Sequence, residues 1–274
     1  MNISKILVCP FCRRSILPVG ARFCSNCEGR ELFRSDVLIA KDISNESYFD
    51  DRFETMISGN DDKGTWDLFY KDQVDLLQSV VQSNEIILDV GCGPQLPYRL
   101  DNADLIGLDP SFPSILANNQ VGFKVFGSAD LIPFSDGTID RILCFYSIHH
   151  MTGKSVSENQ LILRSVLKEF ARVLKPSGVL MIFDLSPRRP FNFIQSSLWN
   201  MGKRYLGQSL DMCFWHEKDL VSLVEEMIPQ SRLEITTFKG KNFVTFSPIF
   251  NVPKFKIPRW LYPFEINLYS WRLN

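Results

Sequence analysis

The chain has 274 residues, 45% of them apolar, with 30 lysines and arginines against 31 aspartates and glutamates. That is apolar material for one large domain with a small module beside it, and the near-neutral balance argues against nucleic-acid binding through bulk charge. No stretch approaches the roughly 20 consecutive apolar residues of a membrane span, so a soluble, cytoplasmic protein is expected.

Four of the seven cysteines fall within the first 27 residues, as Cys9-Pro10-Phe11-Cys12 and Cys24-Ser25-Asn26-Cys27 with eleven residues between the pairs. Two such knuckles can close four thiolates tetrahedrally on Zn²⁺, whereas disulfides would leave Cys92, Cys144 and Cys213 as an odd remainder. A four-thiolate shell has no position for water, so the metal is expected to be structural. Residues 1–40 thus predict a zinc ribbon, with Glu31–Ile39 as its strand.

A connector over 41–83 follows, with a net charge of −6 between 41 and 75. Ser47–Ile57 and Thr65–Gln82 predict helices; the second spaces Trp66, Phe69, Tyr70, Val74, Leu77 and Val81 as a core-facing stripe.

Glu85–Val90 is a strand ending in Asp89, and Gly91-Cys92-Gly93 follow at once, the layout of a strand feeding a nucleotide loop. Asp104–Asp109 predicts a second strand, its terminal acid 18 residues beyond Gly91, where a carboxylate can meet ribose hydroxyls. An acid just before the glycines suits a cationic ligand and repels a pyrophosphate, and Leu96 stands where a dinucleotide site would want a third glycine.

The series Leu88-Asp89-Val90-Gly91-Cys92-Gly93, Gly107-Leu108-Asp109, Ala129-Asp130, Ile132-Pro133-Phe134, Ile139-Asp140 and Arg172-Val173-Leu174-Lys175-Pro176-Ser177-Gly178 resembles class I S-adenosylmethionine-dependent methyltransferases of the small-molecule branch. The Cys-Pro-x-Cys module likewise resembles zinc ribbons that precede bacterial methyltransferases. The resemblance, spanning residues 85–185, implies an α/β fold with a Rossmann-like seven-stranded sheet. It implies that Asp89 lies by the cofactor's amino group, that Gly91, Cys92 and Gly93 touch its methionine part, and that Asp109 and Pro110 bind the ribose. Asp130 would accept from the adenine amine, with Ala129 and Leu131 around the ring and Phe145 at the end of the fourth strand. Tyr48 or Tyr70 would cover the methionine end. The prolines Pro94 and Pro97 depart from the pattern by shortening the helix after the loop.

On the acceptor side, His149 and His150 follow the strand Ile139–Ser147, at the carboxyl end where open α/β sheets bind ligands. Either histidine is a candidate general base or, alternatively, a capping and packing residue. Cys144-Phe145-Tyr146-Ser147 replaces the Asn/Asp-Pro-Pro-Tyr of exocyclic-amine methylases, which disfavours base methylation. Leu161–Leu174 and Trp215–Met227 predict helices, and Val179–Leu185 a strand. Leu233–Phe238 with Asn242–Pro248 predicts a closing hairpin. The methyltransferase domain is placed at 84–250, and 251–274, rich in aromatic and basic residues, is expected as a tail that is a lid or a peripheral membrane contact. The expected acceptor is a small or lipid-like molecule. Ribosomal RNA methylation and a catalytically silent scaffold stand as alternatives, and the oligomeric state is left open.

Overall fold

A computed structural model describes residues 3–14, 17–27, 31–41, 50, 63–207, 210–238, 243–245, 256–258 and 262–274. Its centre is a mixed sheet of nine strands ordered β1-β2-β5-β4-β3-β6-β7-β11-β8. The strands are β1 (Phe33–Arg34), β2 (Val37–Ile39), β3 (Ile86–Val90), β4 (Asp104–Asp109), β5 (Phe123–Phe126), β6 (Ile139–Phe145), β7 (Leu174–Pro187), β8 (Arg232–Thr237) and β11 (Phe264–Arg272). β9 (Phe243–Thr245) and β10 (Lys256–Pro258) form a separate antiparallel pair.

β3, β4, β5, β6 and β7 run parallel, and burial on both faces explains their near-continuous apolar sequences. Successive residues serve opposite cores: Leu88, Ile142, Cys144, Leu180 and Ile182 face one, and Ile87, Leu143, Phe145, Met181 and Phe183 the other. The first core is covered by α3 (Val156–Val173) through Leu163, Val166, Leu167 and Phe170, and by α5 (Glu217–Met227) through Leu220, Leu223 and Val224. Ser155 caps α3, its hydroxyl accepting from the Glu158 amide at 3.1 Å. The second core takes Tyr70 and Leu77 of α1 (Lys63–Val80) and Ile115 of α2 (Phe112–Ala117). α4 (Arg189–Leu206) follows β7.

Three expectations are corrected. Glu31–Ile39 is two strands joined by a two-residue turn, with Ser35 at φ +50° and Asp36 at φ +62°, the conformation of a tight hairpin. That module is no separate body: β2 pairs in parallel with β5 from Val37↔Lys124 to Ile39↔Phe126, so the expected seven strands become nine. Finally, β8 pairs with β11, residues 243–245 pair instead with β10, and β11 lies between β7 and β8 with nine residues registered on β7. Residues 264–272, expected in a tail, are a strand inside the sheet because Leu268, Tyr269 and Trp271 fill both of its faces. The expected helix Ser47–Ile57, Tyr48, the side chain of Trp66 and most of 246–261 lie outside the described residues.

Candidate active site and cysteine cluster

The carboxyl ends of β3, β4 and β6 converge on the glycine loop. Gly91 has φ +75°, and a Cβ there would meet Ser147 Cβ at 2.5 Å, so this glycine is required by the protein's own packing. Gly93 differs: at φ +59° its missing side chain faces open space, while its amide donates to Asp109 and its carbonyl accepts from Asn118, so what it offers a ligand is room at Cα. Cys92 turns its thiol inward, where a Cβ on Gly107 would approach the sulfur to 2.8 Å, so its expected ligand contact reduces to its backbone.

Two buried acids flank the loop. Asp109 accepts from the Gly93 amide and the Ser111 amide, both at 2.8 Å, which ties the loop to the end of β4 beside Pro110. Burial pushes its carboxyl up to about 6 despite those two amides. Asp89 accepts from the Tyr98 hydroxyl through Oδ2, while Oδ1 is buried with no hydrogen-bond partner among the described residues. Burial is the main cause that raises Asp89 to about 7, with the Tyr98 hydrogen bond pulling down and nearby Asp109 pushing up. Such a carboxyl calls for a cation.

Ala129 is buried and Leu131 half-buried in the turn after β5, where the Leu131 amide donates to the Ser128 carbonyl at 3.0 Å; the Asp130 carboxylate is exposed beside them. Phe145 sits in a ring cluster with Tyr70, Tyr98, Tyr146 and Phe183 at centroid distances of 5.4, 5.3, 5.4 and 4.9 Å. Tyr146 holds φ +57°, a costly conformation for a bulky residue, and its hydroxyl bonds Gln73 Oε1 at 2.8 Å.

His149 and His150 form a short 3₁₀ turn after β6. His149 is fully buried; its Nδ1 lies 2.7 Å from Asp184 Oδ1, and its Nε2 has no partner among the described residues. A carboxylate at that distance fixes the proton on Nδ1 and leaves the Nε2 lone pair open, the arrangement of a general base. His150 packs against His149 with ring centroids 4.4 Å apart and the rings tilted by 47°, but turns its Nδ1 to the Asp211 carbonyl and carboxylate, at 3.3 and 3.5 Å, and is partly exposed. Asp184 is therefore a site residue that sequence reasoning missed, although an acid within Leu180–Leu185 of β7 was a visible signal.

The four cysteine sulfurs all lie within 4.8 Å of one another, with Cys9 and Cys27 at 3.4 Å and Cys12 and Cys24 at 3.7 Å. A tetrahedral zinc with bonds of about 2.3 Å needs sulfurs about 3.8 Å apart, which these distances bracket. The thiols crowd one another: Cys27 is pushed far up, chiefly by its hydrogen bond with Cys9, and burial raises Cys9. Just after this knuckle, Arg13 donates twice to Glu169 of α3, at 3.1 and 2.9 Å, and the same carboxylate accepts from the Ile132 amide at 3.0 Å. Arg172 completes the set, donating to Glu169 and to the Ile132 carbonyl. The cluster thus braces the segment that carries Ala129–Leu131.

Residues 88–182 match the methyltransferase domain family. An uncharacterized methyltransferase of Synechocystis is 28% identical over 129 residues, 44% of this chain and 56% of that protein. A probable tRNA methyltransferase 9B of Bos taurus is 33% identical over 100 residues, 36% of this chain and 21% of that protein. The chain spans about half the length of the first curated relatives it matches. A chain of the complex between the Haloferax volcanii Trm112 methyltransferase activator and a methyltransferase superimposes with a TM-score of 0.55 at 16% identity, over 84% of this chain and 98% of that one. The match thus lies on the parallel strands of the sheet, and the chain shares its α/β fold with that methyltransferase chain.

Proposed function

We propose that this chain transfers the methyl group of S-adenosylmethionine to a small or lipid-like acceptor and receives the acceptor's proton on His149. The observation that carries the proposal is a pair of buried atoms without partners among the described residues, Asp89 Oδ1 on the donor side and His149 Nε2 on the acceptor side. A buried polar atom left unanswered costs about 1–3 kcal/mol, which a bound ligand would recover.

The residues present fit the cofactor. Asp89 offers a carboxylate to an ammonium, Asp109 has a further lone pair on each oxygen for ribose hydroxyls, and Gly93 leaves the space at its Cα open. Asp130 is free of burial and available to an adenine amine. S-adenosylmethionine would supply an electrophilic methyl on sulfur, departing as S-adenosylhomocysteine. His149 holds the acceptor hydroxyl or amine by its proton and accepts that proton at Nε2, while Asp184 keeps the ring in the productive tautomer and compensates the imidazolium. Phe145, Tyr146 and Phe183 exclude water from the place where the charge moves.

Cys9, Cys12, Cys24 and Cys27 we assign to a structural Zn²⁺ that holds the knuckles and, through Arg13 and Glu169, the adenine-side turn. One zinc per chain by atomic absorption supports this assignment; a metal-free protein with an unchanged melting temperature contradicts it.

The function is tested by incubating the protein with tritiated S-adenosylmethionine and cell extract, then partitioning the label. Label in the organic phase that disappears in His149→Ala supports the proposal; label only in RNA overturns the acceptor class. RNA methylation is the second reading, favoured by the tRNA methyltransferase relative, and the acidic connector weighs against it.

A further inference from the structure

Helix α4 carries its apolar stripe on the side away from the protein. Trp199 is its buried residue. On the same side, Gln195 exchanges hydrogen bonds with the Phe214 backbone, at 2.8 and 3.0 Å, and Lys203 donates to the Leu210 carbonyl at 2.6 Å. At about 100° per residue, Phe193, Ile194, Leu198, Met201 and Tyr205 fall on the other side within an arc of about 140°. All five are exposed, Phe193 by 74% and Tyr205 by 79%.

Charge completes the pattern. From 186 to 207 there are four basic residues, Arg188, Arg189, Lys203 and Arg204, and no acidic one. An apolar protein groove would bury the five side chains but gives no reason for uniform positive charge, and RNA would answer the charge while leaving the apolar face wet. An anionic bilayer surface answers both, with the apolar face in the acyl boundary and the exposed Arg189 and Arg204 among the headgroups.

We propose that α4 is an interfacial anchor that lays its Phe193–Tyr205 face into an anionic membrane surface. The anchor starts next to the candidate base. Phe191 packs on Phe264 at 4.9 Å, Phe264 on Phe214 at 4.8 Å, and Phe214 on His149 at 4.8 Å. An anchored enzyme therefore holds His149 close to the headgroup layer, and the acceptor is a membrane lipid bearing a hydroxyl or amine near its head. The choice of substrate rests on the methyl-transfer reading above; the anchoring itself does not, because the exposed face stands whatever the chemistry.

Flotation with vesicles of phosphatidylcholine, with and without phosphatidylglycerol, tests the anchor on the full chain. Wild type is expected to float with the anionic vesicles and to be released by salt. Phe193→Ser with Tyr205→Ser is expected to lower the floating fraction by about fivefold or more while S-adenosylhomocysteine binding stays unchanged. Arg189→Gln with Arg204→Gln is expected to erase the preference for anionic lipid. Wild type remaining at the bottom overturns the proposal, as does the apolar double variant floating like wild type, or a solution dimer that this double variant makes monomeric. Flotation without S-adenosylhomocysteine binding leaves the anchor standing and removes the methyl-transfer reading.

Discussion

The two halves of the candidate site are built differently. The donor half is local: Asp89, Gly91 and Gly93 lie within five residues, and Asp109 reaches them through the Gly93 amide. The acceptor half is assembled from distant pieces, His149 after β6, Asp184 on β7, Gln73 and Tyr70 on α1, and Phe214 and Phe264 from the last third of the chain. A cofactor shared by many enzymes needs a compact, repeated cradle, whereas an acceptor is selected by whichever surfaces the fold brings to the same end of the sheet.

The largest expected effect sharpens this division. His149→Ala is expected to lower methyl transfer by about 10²–10⁴-fold while leaving S-adenosylhomocysteine affinity within about twofold, as measured by label transfer and calorimetry. Asp184→Asn should reproduce most of that loss by favouring the wrong tautomer; full activity in this variant would reduce His149 to a packing residue. Next comes the donor side. Asp109→Ala removes the acceptor of two backbone amides as well as the proposed ribose contact, and calorimetry should show affinity weakened by about 100-fold.

The pH dependence separates the halves further. Asp89 and Asp109 stand at about 7 and about 6 against an ordinary 3.8, because burial favours their neutral forms. In the empty protein their contribution to stability is therefore full below about pH 4 and is lost as pH rises through 6 and 7. The ammonium and the ribose hydroxyls of S-adenosylhomocysteine are hydrogen-bond donors that prefer these carboxyls ionised, so its affinity should rise with pH over this window, by up to about tenfold per unit for each proton released. A flat affinity from about pH 5.5 to about 7.5 would remove the acids from ligand binding.

The smallest effect concerns the brace between the cysteine cluster and the turn that carries Ala129–Leu131. Arg13 is partly exposed and Glu169 keeps Arg172, so Arg13→Ala should cost only about 0.5–1 kcal/mol, or a few degrees in melting temperature. A loss as large as that from replacing Cys9 and Cys12 by Ser would mean that the module acts through this one ion pair.

What the sequence made readable follows the same division. Asp89-Val90-Gly91-Cys92-Gly93 and Asp109 were visible because contiguous residues encode the turn, and α1, α3 and α5 because their apolar spacing is regular. Asp184 was hidden because its partner His149 lies 35 positions away, and only parallel pairing of β6 with β7 brings them together. β11 was misplaced although Phe264, Ile266 and Leu268 alternate with Glu265 and Asn267, since alternation gives a strand but not its neighbours. Val37-Leu38-Ile39, buried throughout, carried the signal of an interior strand, yet its partner β5 is about 90 residues away.

The central claim is that the acids and the uncovered Gly93 bind S-adenosylmethionine. Its most direct test is calorimetric titration of the purified chain with S-adenosylhomocysteine and, separately, with NAD. One S-adenosylhomocysteine site per chain, weakened in Asp109→Ala and unmatched by NAD, is the result expected here; NAD binding with no response to S-adenosylhomocysteine would contradict it.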